Sequence, residues 1–181
     1  MSQPSPAAAL TLRPSTEADL PAIQAIYAQA VEHGTGTFET EVPSVEEMGR
    51  RRAEVLGRKL PWLVAERGGE VLGYAYANYF RPRLAYRFCV EDSIYLAPAA
   101  QGQGVGRLLL AELIARCEAA GARQMLAVIG DAHNAGSVGV HTALGFQHTG
   151  VLKSAGWKFG RWLDVVLMQR TLGPGDSTGA A

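Results

Sequence analysis

Ile94-Tyr95-Leu96-Ala97-Pro98-Ala99-Ala100-Gln101-Gly102-Gln103-Gly104-Val105-Gly106-Arg107 reads as the end of a strand, a loop and the opening of a helix. Traced back to Arg87, the strand places Phe88, Val90, Ile94 and Leu96 on one face and Cys89, Glu91, Ser93 and Tyr95 on the other, because side chains alternate. Asp92 interrupts the apolar face, and Pro98 closes the strand. Traced forward, Leu108, Leu109, Leu113, Ile114 and Cys117 predict a helix with one buried stripe, ended by Gly121. Between them, Gly102, Gly104 and Gly106 clear side chains from the turn, so several backbone N–H groups can point at one anion, helped by the helix dipole. A pyrophosphate suits that cradle; the same glycines could also do no more than permit a tight turn. A phosphate loop of the Walker type needs Lys and then Ser or Thr, whereas Arg107 and Leu108 follow here. A dinucleotide fold needs Gly-x-Gly-x-x-Gly, and the spacing here is Gly-x-Gly-x-Gly.

Upstream, a strand over Leu10 to Arg13 precedes Thr16 and Asp19 in capping-box spacing, then a helical stripe of Leu20, Ile23, Ile26, Tyr27, Ala30 and Val31 that Gly34 ends. Pro43 and Ser44 start a second helix, Val45 to Leu56. Trp62 to Glu66 and Val71 to Tyr79 form a hairpin about Gly68-Gly69, with Gly73 marking a bulge or a close approach. Downstream, Met125 to Ile129 is a strand, Asn134 to Leu144 a helix stopped by Gly145, and Gly150 to Leu172 a final strand pair. This order predicts an α/β (α+β) sheet with helices on both faces. One domain is expected over residues 10–172, with tails rich in Pro, Gly, Ser and Ala at 1–9 and 173–181.

The 181 residues are 48% hydrophobic, enough for one core and too few for two ordinary domains. Seventeen basic residues balance seventeen acidic ones, which argues against nucleic acid or an anionic membrane as partner. No apolar run approaches a membrane span, and Met1 to Leu10 has no positive residue ahead of its short apolar run. Two cysteines, Cys89 and Cys117, are too few for a disulfide framework or a thiolate metal site, so the cytoplasm is the expected compartment.

Gln101-Gly102-Gln103-Gly104-Val105-Gly106 resembles the Gln/Arg-x-x-Gly-x-Gly/Ala acetyl-CoA motif of GNAT acetyltransferases. Asn134-x-x-Ser137 with His141 and Leu144-Gly145-Phe146 resembles that superfamily's second CoA-facing helix. The runs Phe80-Arg81-Pro82-Arg83, Tyr86-Arg87, Val90 to Tyr95 and Lys158-Phe159-Gly160-Arg161-Trp162-Leu163-Asp164-Val165 are similar to phosphinothricin and methionine sulfone/sulfoximine N-acetyltransferases over roughly residues 10–172. The resemblance implies a GNAT fold, a mixed, mostly antiparallel sheet splayed at the acetyl-CoA site. It also implies a homodimer, a small amino-acid-like amine as acceptor, and an association with antibiotic or herbicide resistance. Ile94, Tyr95 and Leu96, the loop from Gln101 to Arg107, and Asn134 and Ser137 would then contact acetyl-CoA, with no metal. Two departures stand out: Asp92 replaces the family's usual His, and Ala100-Gln101 lacks its basic residue.

An amino acid's nitrogen is largely protonated at neutral pH, so acetyl transfer needs a proton acceptor. Glu91 is the candidate base, placed on the order of 16 Å up-strand from the phosphate end, comparable to an extended pantetheine arm. Its plain reading is a strand carboxylate that is either solvated or salt-bridged, with Arg87 as a candidate partner. His141 stands where many superfamily members carry a tyrosine acid and is a candidate thiolate partner, although helix histidines more often pack or cap. Strand N–H groups around Ile94 to Leu96 are candidate oxyanion donors. Phe80, Arg81, Pro82, Arg83, Arg87, Asp92 and Ser93 form the expected acceptor side, where guanidinium forks suit carboxylate, phosphinate or sulfone oxygens. Trp157, Phe159 and Trp162 are candidate pocket walls or core. A polyamine, aminoglycoside or protein N-terminus as acceptor, and a non-catalytic acetyl-CoA sensor, are the rival readings; clustered arginines oppose cationic acceptors.

Overall fold

The computed structural model describes residues 8–180. Its elements are β1 (Leu10–Pro14), α1 (Leu20–His33), α2 (Val45–Gly57), β2 (Trp62–Arg67), β3 (Glu70–Tyr79), β4 (Cys89–Leu96), α3 (Val105–Ala119), β5 (Gln124–Gly130), α4 (Ala135–Ala143), β6 (Gln147–Lys158) and β7 (Arg161–Thr171), with short 3-10 turns at Glu17–Asp19, Leu84–Tyr86 and Pro98–Ala100. The strands make one seven-stranded sheet in the order β1-β2-β3-β4-β5-β7-β6. Every pairing is antiparallel except β4 with β5. That parallel ladder holds only Cys89, Val90 and Glu91 against Gln124, Met125 and Leu126. Beyond Glu91 the two strands diverge, so the sheet is split at its centre as the resemblance implied.

Tyr95 meets Tyr27 of α1 edge to face at 4.9 Å, while the next residue, Leu96, packs on Gly106 of α3. Alternation along β4 therefore puts α1 and α3 on opposite faces. The core runs through both layers, with Trp62 stacked on Tyr76 at 4.2 Å beneath α1 and α2, and Leu109, Leu110, Leu113 and Cys117 buried beneath α3. Here one expectation is corrected. Leu108 is 49% exposed and Leu110 takes its place, since a helix turns about 100° per residue and the buried arc is centred between 109 and 113.

Gly73 answers both sequence alternatives. Ala65 pairs with Gly73 but Glu66 with Val71, leaving Leu72 as the extra residue of a bulge, and a Cβ at Gly73 would come within 2.8 Å of the Tyr95 carbonyl. The strand expected from Arg87 begins at Cys89, because Leu84–Tyr86 coils into a turn first. Thr16 and Asp19 form the expected capping box, with the Thr16 N–H donating to Asp19 Oδ2 at 2.6 Å. Of the expected N-terminal tail, residues 1–7 lie outside the description, as does residue 181 at the other end. Past β7 the chain turns over Arg123, which donates to the carbonyls of Gly175 and Gly179 and to Thr178 Oγ1.

Candidate active site

The split between β4 and β5 opens into a cavity of about 1090 Å³ that extends from Glu91 to the glycine loop. Its backbone chemistry follows from strand register. Phe80 N–H donates to the Cys89 carbonyl and Ala97 N–H to the Leu72 carbonyl, so the odd-numbered residues of β4 direct their main-chain groups at β3. Asp92, Ile94 and Leu96 therefore direct theirs away from β3, into a gap where β5 no longer pairs. Among the residues expected to face the cofactor, Ile94 and Leu96 offer amides to the cavity. Tyr95 does not; its amide faces β3 and its ring lies between Tyr27 and Tyr74.

At the far end, Gly102 and Gly104 hold φ of 72° and 79°, the left-handed region that a side chain disfavours. Gly104 is the N-cap of α3, so the N–H groups at the start of that helix are turned to the loop's concave side. Gln101, Gly102, Gly104, Gly106 and Arg107 line the cavity. Val105 is fully buried in the core, and Gln103 braces the loop by donating to the Ala99 carbonyl at 2.5 Å and accepting from Arg67. Opposite, Asn134 caps α4 by accepting from Ser137 N–H at 3.2 Å, and both residues line the cavity. Backbone donors at a helix N-terminus, open strand amides and a long cleft match what a CoA diphosphate and pantetheine arm require.

Glu91 stands at the vertex of the split, partly buried and with no hydrogen bond or ion pair among the described residues. Burial first, and then the charge of Asp92, raises its pKa to about 6 against a smaller opposing pull from Arg81. The plain reading of a carboxylate paired with Arg87 is not what the structure contains: Arg87 lies over the Phe88 ring.

Asp92, on the other face of β4, is separated from Glu91 by the strand itself. Its side chain and that of His141 are each 2% exposed, and His141 Nε2 meets Asp92 Oδ2 at 3.0 Å. His141 Nδ1 lies 2.7 Å from the Ser137 carbonyl. A carbonyl and a carboxylate both accept, and a ring carrying both protons satisfies the two of them together. Burial alone would lower the His141 pKa, but the hydrogen bond and charge of Asp92 and the Ser137 carbonyl outweigh it and the net shift is upward. Neither ring nitrogen is left over for a thiolate, and Asp92 does not join Ser93 and Glu91 on an acceptor face.

The segment Phe80, Arg81, Pro82, Arg83 and Arg87 is largely solvent-facing and does not line the cavity; Arg81 lies over the Phe80 ring and donates to the Phe80 carbonyl. Trp157, Phe159 and Trp162 are 57%, 53% and 63% exposed on the β6–β7 hairpin, neither pocket wall nor core. A strand's alternation does not reveal which face is covered.

What the sequence reading missed is the loop after α1. Gly34, Gly36, Thr37 and Phe38 line the same cavity as Glu91. Gly34 had been read only as a helix stop, and its neighbours carry no periodic signal. Among the described residues no group of three or more His, Cys, Asp or Glu is placed to hold a metal ion, and no helix is long and apolar enough to cross a membrane.

Residues 23–146 match the model of the acetyltransferase (GNAT) family. The chain belongs to the GNAT acetyltransferases. It is 58% identical over 170 residues to phosphinothricin N-acetyltransferase of Alcaligenes faecalis, covering 94% of this chain and 86% of that one. It is 41% identical over 168 residues to the L-methionine sulfoximine/L-methionine sulfone acetyltransferase of Pseudomonas paraeruginosa, covering 91% and 95%. The crystal structure of a phosphinothricin acetyltransferase from Sinorhizobium meliloti in complex with acetyl-CoA superposes with a TM-score of 0.92 at 50% identity, covering 95% of this chain and 93% of that one. As a GNAT member the chain is an acetyl-CoA-dependent N-acetyltransferase.

Proposed function

We propose that this enzyme acetylates the α-amino group of a small amino-acid-like substrate of the phosphinothricin, methionine sulfone or methionine sulfoximine type. The observation that carries the reading is an unpaired, partly buried carboxylate at the vertex of the β4–β5 split, in one cavity with the glycine cradle. Bound acetyl-CoA supplies the acetyl group as a thioester. Loop amides and the α3 N-terminus hold the diphosphate, and the open amides of Ile94 and Leu96 fix the pantetheine arm along β4. Glu91 takes a proton from the incoming ammonium, directly or through one water, so that nitrogen can attack the carbonyl carbon. The N–C bond forms, the C–S bond breaks, and the second proton that the nitrogen sheds passes to the departing sulfur to give the free thiol. Strand amides directed into the gap stabilise negative charge as it develops on oxygen.

Arg81 lies outside the cavity and forms no ion pair among the described residues, yet its charge reaches Glu91, which favours acceptors with an acidic group and repels polyamines and aminoglycosides. Steady-state release of CoA thiol is expected with phosphinothricin or methionine sulfone at a kcat/KM at least about a hundredfold above that with spermidine. Equal rates would remove the amino-acid reading, and no turnover with any amine would favour an acetyl-CoA sensor.

A second copy of the chain is the proposed cover for the hairpin aromatics. Trp157 and Trp162 pack edge to face at 5.2 Å yet remain mostly open to solvent, beside exposed Leu152 and Phe159. Sedimentation should give a dimer for the native chain and a monomer for Trp162→Glu; a native monomer would rule this out. Two unpaired thiols, half-buried Cys89 and buried Cys117, suit a reducing cytoplasm.

A further inference from the structure

We propose that Lys158 is a positioning residue for the acceptor amine, acting by pinning the loop that lines the same cavity as Glu91. The proposal rests on the acceptor lying between that loop and Glu91. Lys158 ends β6, far in sequence from the loop, and is only 4% exposed. Its ammonium donates to the Gly34 carbonyl at 2.8 Å and to the Thr37 carbonyl at 2.9 Å. No carboxylate lies within ion-pair distance of it among the described residues. Burial costs an ammonium its hydration, and an apolar side chain of the same length would fill the space without that cost. What only the cation supplies is a tie between two carbonyls on either side of the cavity-lining turn.

The surroundings show that this turn is held in one place from the same hairpin. A Cβ on Gly156 would fall inside the Phe38 ring, so the absent side chain is what lets Phe38 lie against β6. A Cβ on Gly130 would strike the Thr35 carbonyl in the same way. From the other side, Tyr27 Oη and Thr37 Oγ1 are 2.8 Å apart. The loop is thus clamped between α1 and the β6–β7 hairpin, and its inner surface lines the cavity that also holds Glu91. The diphosphate cradle is built from the glycine loop and α3, which share no hydrogen bond with this turn among the described residues. Loosening the loop should therefore misplace the amine and spare the cofactor, and misplacement near 1 Å is enough to slow a reaction severely.

Lys158→Met removes the ammonium and keeps the length. It is expected to lower kcat/KM for methionine sulfone by at least about tenfold while KM for acetyl-CoA stays within about twofold. Gly156→Ala disturbs the same loop through Phe38 and should give the same split with Lys158 intact. Hydrogen exchange should quicken over residues 34–39 in Lys158→Met and remain unchanged along α3. A parallel decline of both substrates' parameters, or unchanged exchange over 34–39, would overturn the assignment. Were the native enzyme inactive on every amino-acid analogue, the substrate reading would fall, and the exchange comparison would still decide whether Lys158 fixes the loop.

Discussion

Glu91→Gln is expected to lower kcat/KM for the amine by about 10²- to 10⁴-fold, the range a general base contributes, while acetyl-CoA binds as before. The amide keeps the shape of the side chain and cannot accept a proton, and the glycine cradle is untouched. The native enzyme's kcat/KM should rise as pH climbs through about 6, where Glu91 loses its proton; that acidic limb should vanish in the variant. A second readout separates a dead enzyme from an unfolded one. Burial raises the Glu91 pKa from 4.5 to about 6 in the fold. Its carboxyl therefore contributes full stability below the unfolded value and loses it as pH rises through 4.5 to 6, so at neutral pH the native protein carries the cost of a buried carboxylate. Glutamine removes that cost, up to about 2 kcal/mol for a shift of this size. The inactive variant should unfold at a higher temperature than the native chain above pH 6 and at a similar one near pH 4. Retained turnover would exclude Glu91 as the base, and a variant that melts early would leave the activity loss attributable to misfolding.

What could be read before the structure was what sequence writes locally. The run Ile94 to Arg107 carries its strand alternation, its proline stop, its glycine turn and its helix start within a few residues of one another, and these stand as expected, while the stripe that follows shifts from Leu108 to Leu110. Asp92 was recognisable as a polar residue on an apolar face. Its partner was not, because His141 lies 49 residues away and only the packing of α4 beneath β4 brings them together. Lys158 is farther still from the carbonyls it holds, with 124 residues to Gly34, and nothing in a lysine's neighbours announces that it will be buried. Aromatic residues mislead in the opposite direction: Trp157 and Trp162 have the bulk of core residues, but they lie on an outer face of the sheet that none of the described residues covers. The expected acceptor arginines were grouped by nearness in sequence to Glu91, yet the coil of residues 84–86 carries that segment outside the cavity.

His141→Leu is expected to cost about 3–5 kcal/mol of stability, the penalty for leaving one member of a buried ion pair uncompensated. Asp92 would lose its side-chain partner beneath α3, where its Oδ1 already has no hydrogen-bond partner among the described residues and where burial, with the carboxylate's charge adding to it, pushes the Cys117 thiol up to about 12. Leucine fills the volume of the imidazole, so the loss measures charge rather than cavity. The double variant Asp92→Val/His141→Leu should recover most of it, because replacing both partners with apolar groups removes the stranded charge. The native pair also has a signature in pH. A histidine whose pKa is raised in the fold stabilises fully below its unfolded value and loses that contribution as pH rises through the folded one, so the gap between native and His141→Leu should narrow above neutrality. Denaturant unfolding from pH 5 to 9 checks both statements. If instead His141 acted as an acid on the leaving sulfur, the double variant would fold well and turn over poorly; a strut between β4 and α4 predicts that it folds well and retains most activity, with Glu91 still facing the opposite side of the strand.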